Sequence, residues 1–164
     1  MNVPREPLAP ALLQALHAQA DEFIAVRRDI HRHPEMGYQE YRTSDLVAEQ
    51  LAQWGYAVTR GLGGTGVVGQ LRRGHGGKTL GLRADMDALP IEEATGLAYA
   101  SCTPGIMHAC GHDGHTAMLL AAAKHIAQHV AFSGTLNLIF QPAEEGLGGA
   151  KKMMADGLFT QFPC

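Results

Sequence analysis

Thr135-Leu-Asn-Leu-Ile-Phe140 is a nearly continuous apolar run that leads straight into Gln141-Pro-Ala-Glu-Glu145. A strand with one wet face alternates apolar and polar residues, so a run of this kind reads as a strand buried on both faces. A sheet with such a strand has to be layered with helices, and the flanking sequence provides them. One helix is predicted from near Gly114 to about Val130, and a short one over about Gly149 to Ala155. Further upstream, Leu12, Leu13, Leu16, Ala20, Phe23, Ile24 and Ile30 recur at three- and four-residue steps. They predict an amphipathic helix from Ala11 to about His31, stopped before Pro34. Another fits Thr43 to Trp54, with Gly55 in the C-terminal cap position. Between these helices lie the β-like runs Tyr56–Thr59, Gly66–Leu71 and Thr79–Arg83. The turn Arg73-Gly-His-Gly-Gly77 predicts that the last two pair as a hairpin. Helix and strand alternate, which gives an α/β architecture.

Bulk composition narrows the function classes. The 164 residues suit one domain, with 46% hydrophobic and 18% charged residues and a net charge of −3, and a mean hydropathy near zero. No basic run is present, so nothing argues for nucleic acid as a partner. The first twenty residues are broken by Pro4, Pro7 and Pro10 and lack a basic start, which does not read as a signal peptide. The longest apolar stretch, Ala117 to Ala123, is too short to span a bilayer, so no membrane role is expected. Cys102, Cys110 and Cys164 make an odd count without an export signal, which favours thiol or metal roles and a cytoplasmic location. Gly61-Leu-Gly63-Gly-Thr-Gly66 matches the dinucleotide-binding pattern, yet a β-like run follows it instead of a helix, so it reads as a loop entering a strand.

The candidate chemistry concentrates at element ends, where ligands collect in open α/β sheets. Asp85 and Asp87 follow the strand ending at Arg83 and could bind metal or orient a histidine ligand. Residues 106–117, IMHACGHDGHTA, place His108, Cys110, His112, Asp113 and His115 at the mouth of a helix. Thiolate and imidazole suit zinc or a manganese-type divalent ion, and a helix N-terminus is expected to lower the Cys110 pKa. Glu144 and Glu145 follow the buried strand, where one could coordinate metal while the other moves protons, as metal-assisted hydrolysis needs. His31-Arg-His-Pro-Glu35 reads as a helix C-terminus whose basic residues suit the dipole, in preference to a second metal cluster.

The ordered set His31–Glu35, Gly66-Val-Val68, Leu82-Arg-Ala-Asp-Met-Asp-Ala-Leu-Pro-Ile91, Met107–His115 and Phe140–Glu145 resembles the hippurate hydrolase and N-acyl-amino-acid amidohydrolase family. Plant members of that family cleave auxin conjugates, and the wider group is that of the co-catalytic metallopeptidases. The resemblance implies a three-layer αβα catalytic domain that holds two divalent ions, Mn or Zn, per complete site. It implies Cys110, His112 and Glu145 as metal ligands. Glu144 would be the general base that takes a proton from the attacking water and passes it to the leaving nitrogen. Asp87 would support the ligands from behind, Asp85 stands where many relatives carry a histidine ligand, and Asp113 and His115 take supporting roles. The implied reaction cleaves a small-molecule N-acyl amino acid into a carboxylic acid and a free amino acid. The resemblance also implies two further histidine ligands, and a lid domain used in dimer contacts, that these residues do not contain. Residues 1–164 therefore read as the N-terminal part of a catalytic domain. Little activity is expected from them alone, and the parent enzyme is expected to be a homo-oligomer. Two other readings stand beside this one: a non-catalytic zinc-binding module built on Cys102, His108, Cys110 and His112, and a thiol hydrolase with Cys110 as nucleophile.

Overall fold

The computed structural model describes residues 10–164. The reading of a leaderless start falls partly on residues 1–9, outside the described residues. Ten elements follow one another: α1 (Pro10–Ala18), α2 (Ala20–Arg32), α3 (Tyr41–Gln53), β1 (Ala57–Leu62), β2 (Gly66–Arg73), β3 (Thr79–Asp85), α4 (His112–His129), β4 (Gly134–Gln141), α5 (Gly149–Ala155) and α6 (Leu158–Gln161). The single helix expected from Ala11 to His31 is interrupted at Gln19, and α1 buries none of its residues. Among the described residues no helix is long and apolar enough to cross a membrane.

The sheet order is β1-β2-β4-β3. β1 and β2 form an antiparallel hairpin, so the glycine-rich stretch before Gly66 is its turn. β4 lies antiparallel to β2 and parallel to β3. The hairpin expected between β2 and β3 does not form, because β4 sits between them. The reason lies in β4 itself: seven of its eight residues are buried, and only a central strand covered on both faces satisfies that pattern. β3, α4 and β4 then make a parallel crossover unit, and β3 takes the edge.

Helices cover both faces, which makes three layers. On one face Leu136, Leu138 and Phe140 of β4 pack with Val67, Ala84, Leu51 of α3, Leu120 of α4 and Phe23 of α2. On the other, Ile139 and Val68 pack with Met153 of α5, Leu158 of α6 and Phe162. Each fully buried side chain of this size contributes roughly 1.5–3 kcal/mol. Arg73, the last residue of β2, closes the end of α4. Its guanidinium donates to the carbonyls of Val130 (2.6 Å), Ile126 (3.4 Å) and Ala127, at a helix terminus where the last carbonyls lack a following turn of N–H groups.

Candidate metal centre

Parallel pairing of β3 and β4 puts their C-terminal ends on one edge, with Asp85 opposite Gln141. α4, which connects them, has its N-terminus at the same edge. Three chain segments therefore converge there: Asp85–Asp87, Cys110–His115 and Gln141–Glu145. Asp85 and Asp87 are both buried, and Met86 between them enters the core. Gly111 precedes α4 with φ of 84°, a left-handed conformation that suits glycine. His112 is thereby the first helical residue and sits 4% exposed.

The His112 ring is oriented by hydrogen bonding. Its Nδ1 lies 2.9 Å from the Asp87 carbonyl oxygen and 3.2 Å from Asp87 Oδ1. A carbonyl only accepts, so Nδ1 carries the proton, and in the neutral ring Nε2 presents its lone pair. That lone pair faces Asp85 Oδ2 at 3.6 Å, Glu145 Oε1 at 3.7 Å and Glu144 Oε2 at 3.8 Å. These separations are long for hydrogen bonds, whereas ligand atoms around one tetrahedral ion with bonds of about 2.0–2.1 Å stand roughly 3.3 Å apart. Glu145 Oε1 is buried and has no hydrogen-bond partner among the described residues, a costly state for a carboxylate oxygen unless a cation meets it. The donor set fits a divalent ion. Among the described residues, two groups have ligand atoms within 4.8 Å of one another: His112, Glu144 and Glu145, and Asp85, His112 and His115. His115 is one helical turn beyond His112, stacks on its ring at 5.5 Å, and places Nδ1 2.6 Å from Asp85 Oδ1.

Asp87 joins the two sides of the site. While one oxygen meets His112, the other accepts the Glu145 backbone N–H at 2.9 Å. Burial pushes the Asp87 carboxyl upward, but the hydrogen bonds from His112 and from backbone N–H groups outweigh it and hold the group below its ordinary range. For His112 burial acts downward, and the Asp87 hydrogen bond with the charges of Asp85 and Asp87 carries it above its ordinary value. The turn bearing the glutamates is tightly closed. Gly149 N–H donates to the Ala143 carbonyl at 2.9 Å, and a side chain at Gly149 would run into the Pro142 carbonyl.

The sequence-derived candidates do not all meet. Asp85 lies within one of the two groups, beside His112 and His115. Cys110 is exposed and belongs to neither group. Its thiol is held above its ordinary value, first by hydrogen bonding toward Glu145, then by burial and by the charges of Glu145, Glu144 and Asp85. The expected lowering by the helix N-terminus is therefore reversed, because Cys110 precedes the cap and faces three carboxylates. A bound cation would invert that local field. Asp113, fully buried, turns to α2: its Oδ2 accepts from Arg27 Nε at 3.0 Å and meets His31 Nδ1 at 2.9 Å. His31 does end a helix, but it is no solvated end. It is 4% exposed, with Nε2 3.3 Å from Glu93 Oε1. His108 is also buried, and neither ring nitrogen has a hydrogen-bond partner among the described residues. The sequence marks His31, His108 and Asp113, though not for these pairings, whereas Glu93 and Glu40, the latter fully buried beside Ala143, carry no signal.

The family model described as Peptidase family M20/M25/M40 matches residues 81–164. Hippurate hydrolase of Campylobacter jejuni is 57% identical over 141 residues, 86% of this chain and 37% of that protein. IAA-amino acid hydrolase ILR1-like 5 of Arabidopsis thaliana is 48% identical over 139 residues, 84% of this chain and 32% of that protein. The crystal structure of the Bacillus subtilis YXEP protein, described as a dinuclear metal binding peptidase from the M20 family, matches with a TM-score of 0.81. Its identity is 39%, over 89% of this chain and 41% of that one. The chain thus spans about 37% of the length of the first of these relatives.

Proposed function

The chain belongs to peptidase family M20/M25/M40, and from that membership and the geometry of the site we propose that it carries part of the catalytic centre of a metal-dependent amidohydrolase. The substrates are N-acyl amino acids, hippurate-like, N-acetyl or related conjugates, and the products a carboxylic acid and a free amino acid. One observation carries the reading: the free Nε2 of His112 faces the buried, partnerless Oε1 of Glu145 across 3.7 Å.

His112, Glu145 and Cys110 would hold the metal, Mn or Zn, with two ions in the complete site. When bound, the metal lowers the pKa of water toward neutrality and polarises the amide carbonyl. The division of labour between the glutamates has a structural basis. The Glu145 side chain is 24% exposed and Glu144 43%, and Glu144 makes no side-chain hydrogen bond among the described residues. Glu144 is thus free to take a proton from the attacking water and to return it to the departing nitrogen. Asp87 keeps His112 in the tautomer that ligates and fixes the backbone of Glu145. Asp85 and His115 border the same space and orient what enters it.

A net charge of −3 without a basic run supports a small-molecule partner and no role for nucleic acid or membrane. The free cysteines support a cytoplasmic location. Turnover, and assembly as a homo-oligomer, belong to the longer protein that the relatives' length suggests. These residues alone are expected to hold metal weakly and to turn over little.

Two substitutions, made in the longer protein to which turnover is assigned, test the reading, with metal content and cleavage of hippurate and N-acetyl amino acids as measurements. Glu144→Ala keeps the metal and loses turnover, while His112→Ala loses both. Full turnover in Glu144→Ala, or activity that survives a chelator, refutes the proposal. Metal and function both unchanged in Glu144→Ala would point to a non-catalytic zinc module.

A further inference from the structure

Glu40 is a fully buried carboxylate just ahead of α3, outside every group assigned a chemical role above. Its Oε1 accepts the Ala143 backbone N–H at 2.8 Å, and its Oε2 accepts the Thr65 hydroxyl at 2.5 Å. Thr65 lies in the β1–β2 turn and is itself buried. We infer that Glu40 is a positioning residue: it holds Ala143 in its left-handed conformation and thereby sets where Glu144 and Glu145 stand against His112. The inference rests on the metal-site reading of those residues.

Ala143 has φ of 51°. A non-glycine residue there costs on the order of 1 kcal/mol and persists only where its surroundings over-determine it. Both of its backbone groups are committed, the N–H to Glu40 and the carbonyl to Gly149 N–H. Released from Glu40, the peptide can rotate, and the next two side chains turn with it. Glu40 does not act in isolation. Within the same segment, Tyr38 donates its hydroxyl to the Leu147 carbonyl at 2.9 Å, and the Glu35 carbonyl accepts the Ala88 N–H at 2.8 Å. Residues 35–40 therefore grip the chain just after Asp87 on one side and the glutamate turn on the other. Stability alone does not favour a buried carboxylate over an apolar side chain of like volume. Burial raises the Glu40 pKa against the hydrogen bonds that lower it, so the group is kept at some cost.

The test compares Glu40→Ala and Glu40→Gln with the parent and with Tyr56→Phe, which removes a buried hydrogen bond to the Ala123 carbonyl, away from this turn. Two quantities are read: amide hydrogen exchange across residues 141–149, and Zn²⁺ affinity by competition with a chromogenic chelator. Glutamine can still accept from Ala143 and donate to Thr65, so Glu40→Gln stays close to the parent in both. Glu40→Ala speeds exchange at Ala143 and Glu145 and weakens Zn²⁺ by about tenfold or more, the range for groups that orient ligands. Tyr56→Phe does neither. Parent-like exchange and affinity in Glu40→Ala, losses in Glu40→Gln, or equal losses in Tyr56→Phe each overturn the inference. If Glu40→Ala does not fold, Glu40→Asp replaces it, since the shorter side chain cannot reach Ala143, with the same expected and overturning results. If the parent takes up no Zn²⁺, the metal reading fails, and the exchange measurement still decides the role of Glu40.

Discussion

Replacing Asp87 by asparagine changes no volume and reverses one hydrogen-bonding atom, which makes it a sharp probe of the site. Both partners of the carboxylate are donors, His112 Nδ1–H at 3.2 Å and Glu145 N–H at 2.9 Å. An aspartate offers two accepting oxygens, whereas an asparagine offers one and an NH₂ that can only donate. The Asp87 carbonyl, 2.9 Å from His112 Nδ1, still holds the ring. The side-chain oxygen is therefore expected to serve Glu145, leaving the NH₂ against His112. At 2% exposure no water relieves that contact. The loss is one charge-assisted bond with a mismatched donor in its place, about 2–3 kcal/mol. For a chain of this size that lowers Tm by roughly 4–12 °C, read by circular dichroism with a chelator present. Zn²⁺ affinity is expected to fall about 10–100-fold.

Acid adds an independent check on the same residue. The folded carboxyl lies below its ordinary value, so between the two values the unfolded chain binds a proton that the folded chain does not. Stability therefore declines as pH falls from the unfolded value of about 3.9 through the folded one. The asparagine variant lacks this contribution, so its acid limb is shallower. A Tm within about 1 °C of the parent, together with unchanged Zn²⁺ affinity, refutes the account of Asp87 as the joint between His112 and Glu145.

His108 predicts a second pH effect: burial foremost pushes its pKa from 6.5 to about 4, so stability drops as pH falls between those values, by up to about 3 kcal/mol. His108→Leu flattens that interval in urea midpoints measured with chelator, and an unchanged slope refutes the assignment. Arg73→Ala frees the carbonyls at the end of α4 and is expected to cost about 1–2 kcal/mol, seen as lower Tm and faster exchange in the last turn of α4; protection there equal to the parent's argues against the cap. Leu138→Ala, at a fully buried central-strand position, costs about 2–5 kcal/mol, whereas Leu80→Ala, 59% exposed on β3, stays within about 0.5 kcal/mol. Urea unfolding compares them, and similar losses would contradict the strand order.

The fold was legible where burial is written into the local pattern. β4 reads as a central strand because residues on both of its faces are apolar, and the structure buries nearly all of them. The ends of α5 at Gly149 and Ala155 agree with expectation. The place of β3 was not legible for a physical reason. Arg73–Gly77 has the composition of a hairpin turn, but a turn specifies only a change of direction. Whether the next strand pairs at once or leaves a gap depends on β4, which arrives more than fifty residues later and has the stronger claim to the middle. The break at Gln19 was equally hidden, since apolar spacing continues across it.

The site divides along the same line. His112, Glu144, Glu145 and Asp87 could be read from residue type at element ends, and parallel pairing of β3 with β4 is what makes those ends one place. Glu40 could not, because in Gly37-Tyr-Gln-Glu-Tyr-Arg42 a glutamate before a helix looks like any solvated residue that suits a helix start. Its partner, the Ala143 N–H, is 103 positions away. The pairing of His31 with Asp113 spans 82. A buried charge has no signature of its own in a sequence, because its burial is decided by the groups that satisfy it. Ala143 could not have disclosed Glu40 either, since nothing about an alanine in a sequence marks a left-handed backbone. The candidate ligands are therefore readable one at a time, while the groups that aim them are defined only as pairs. Removing either member of such a pair should disturb the metal site without touching a ligand.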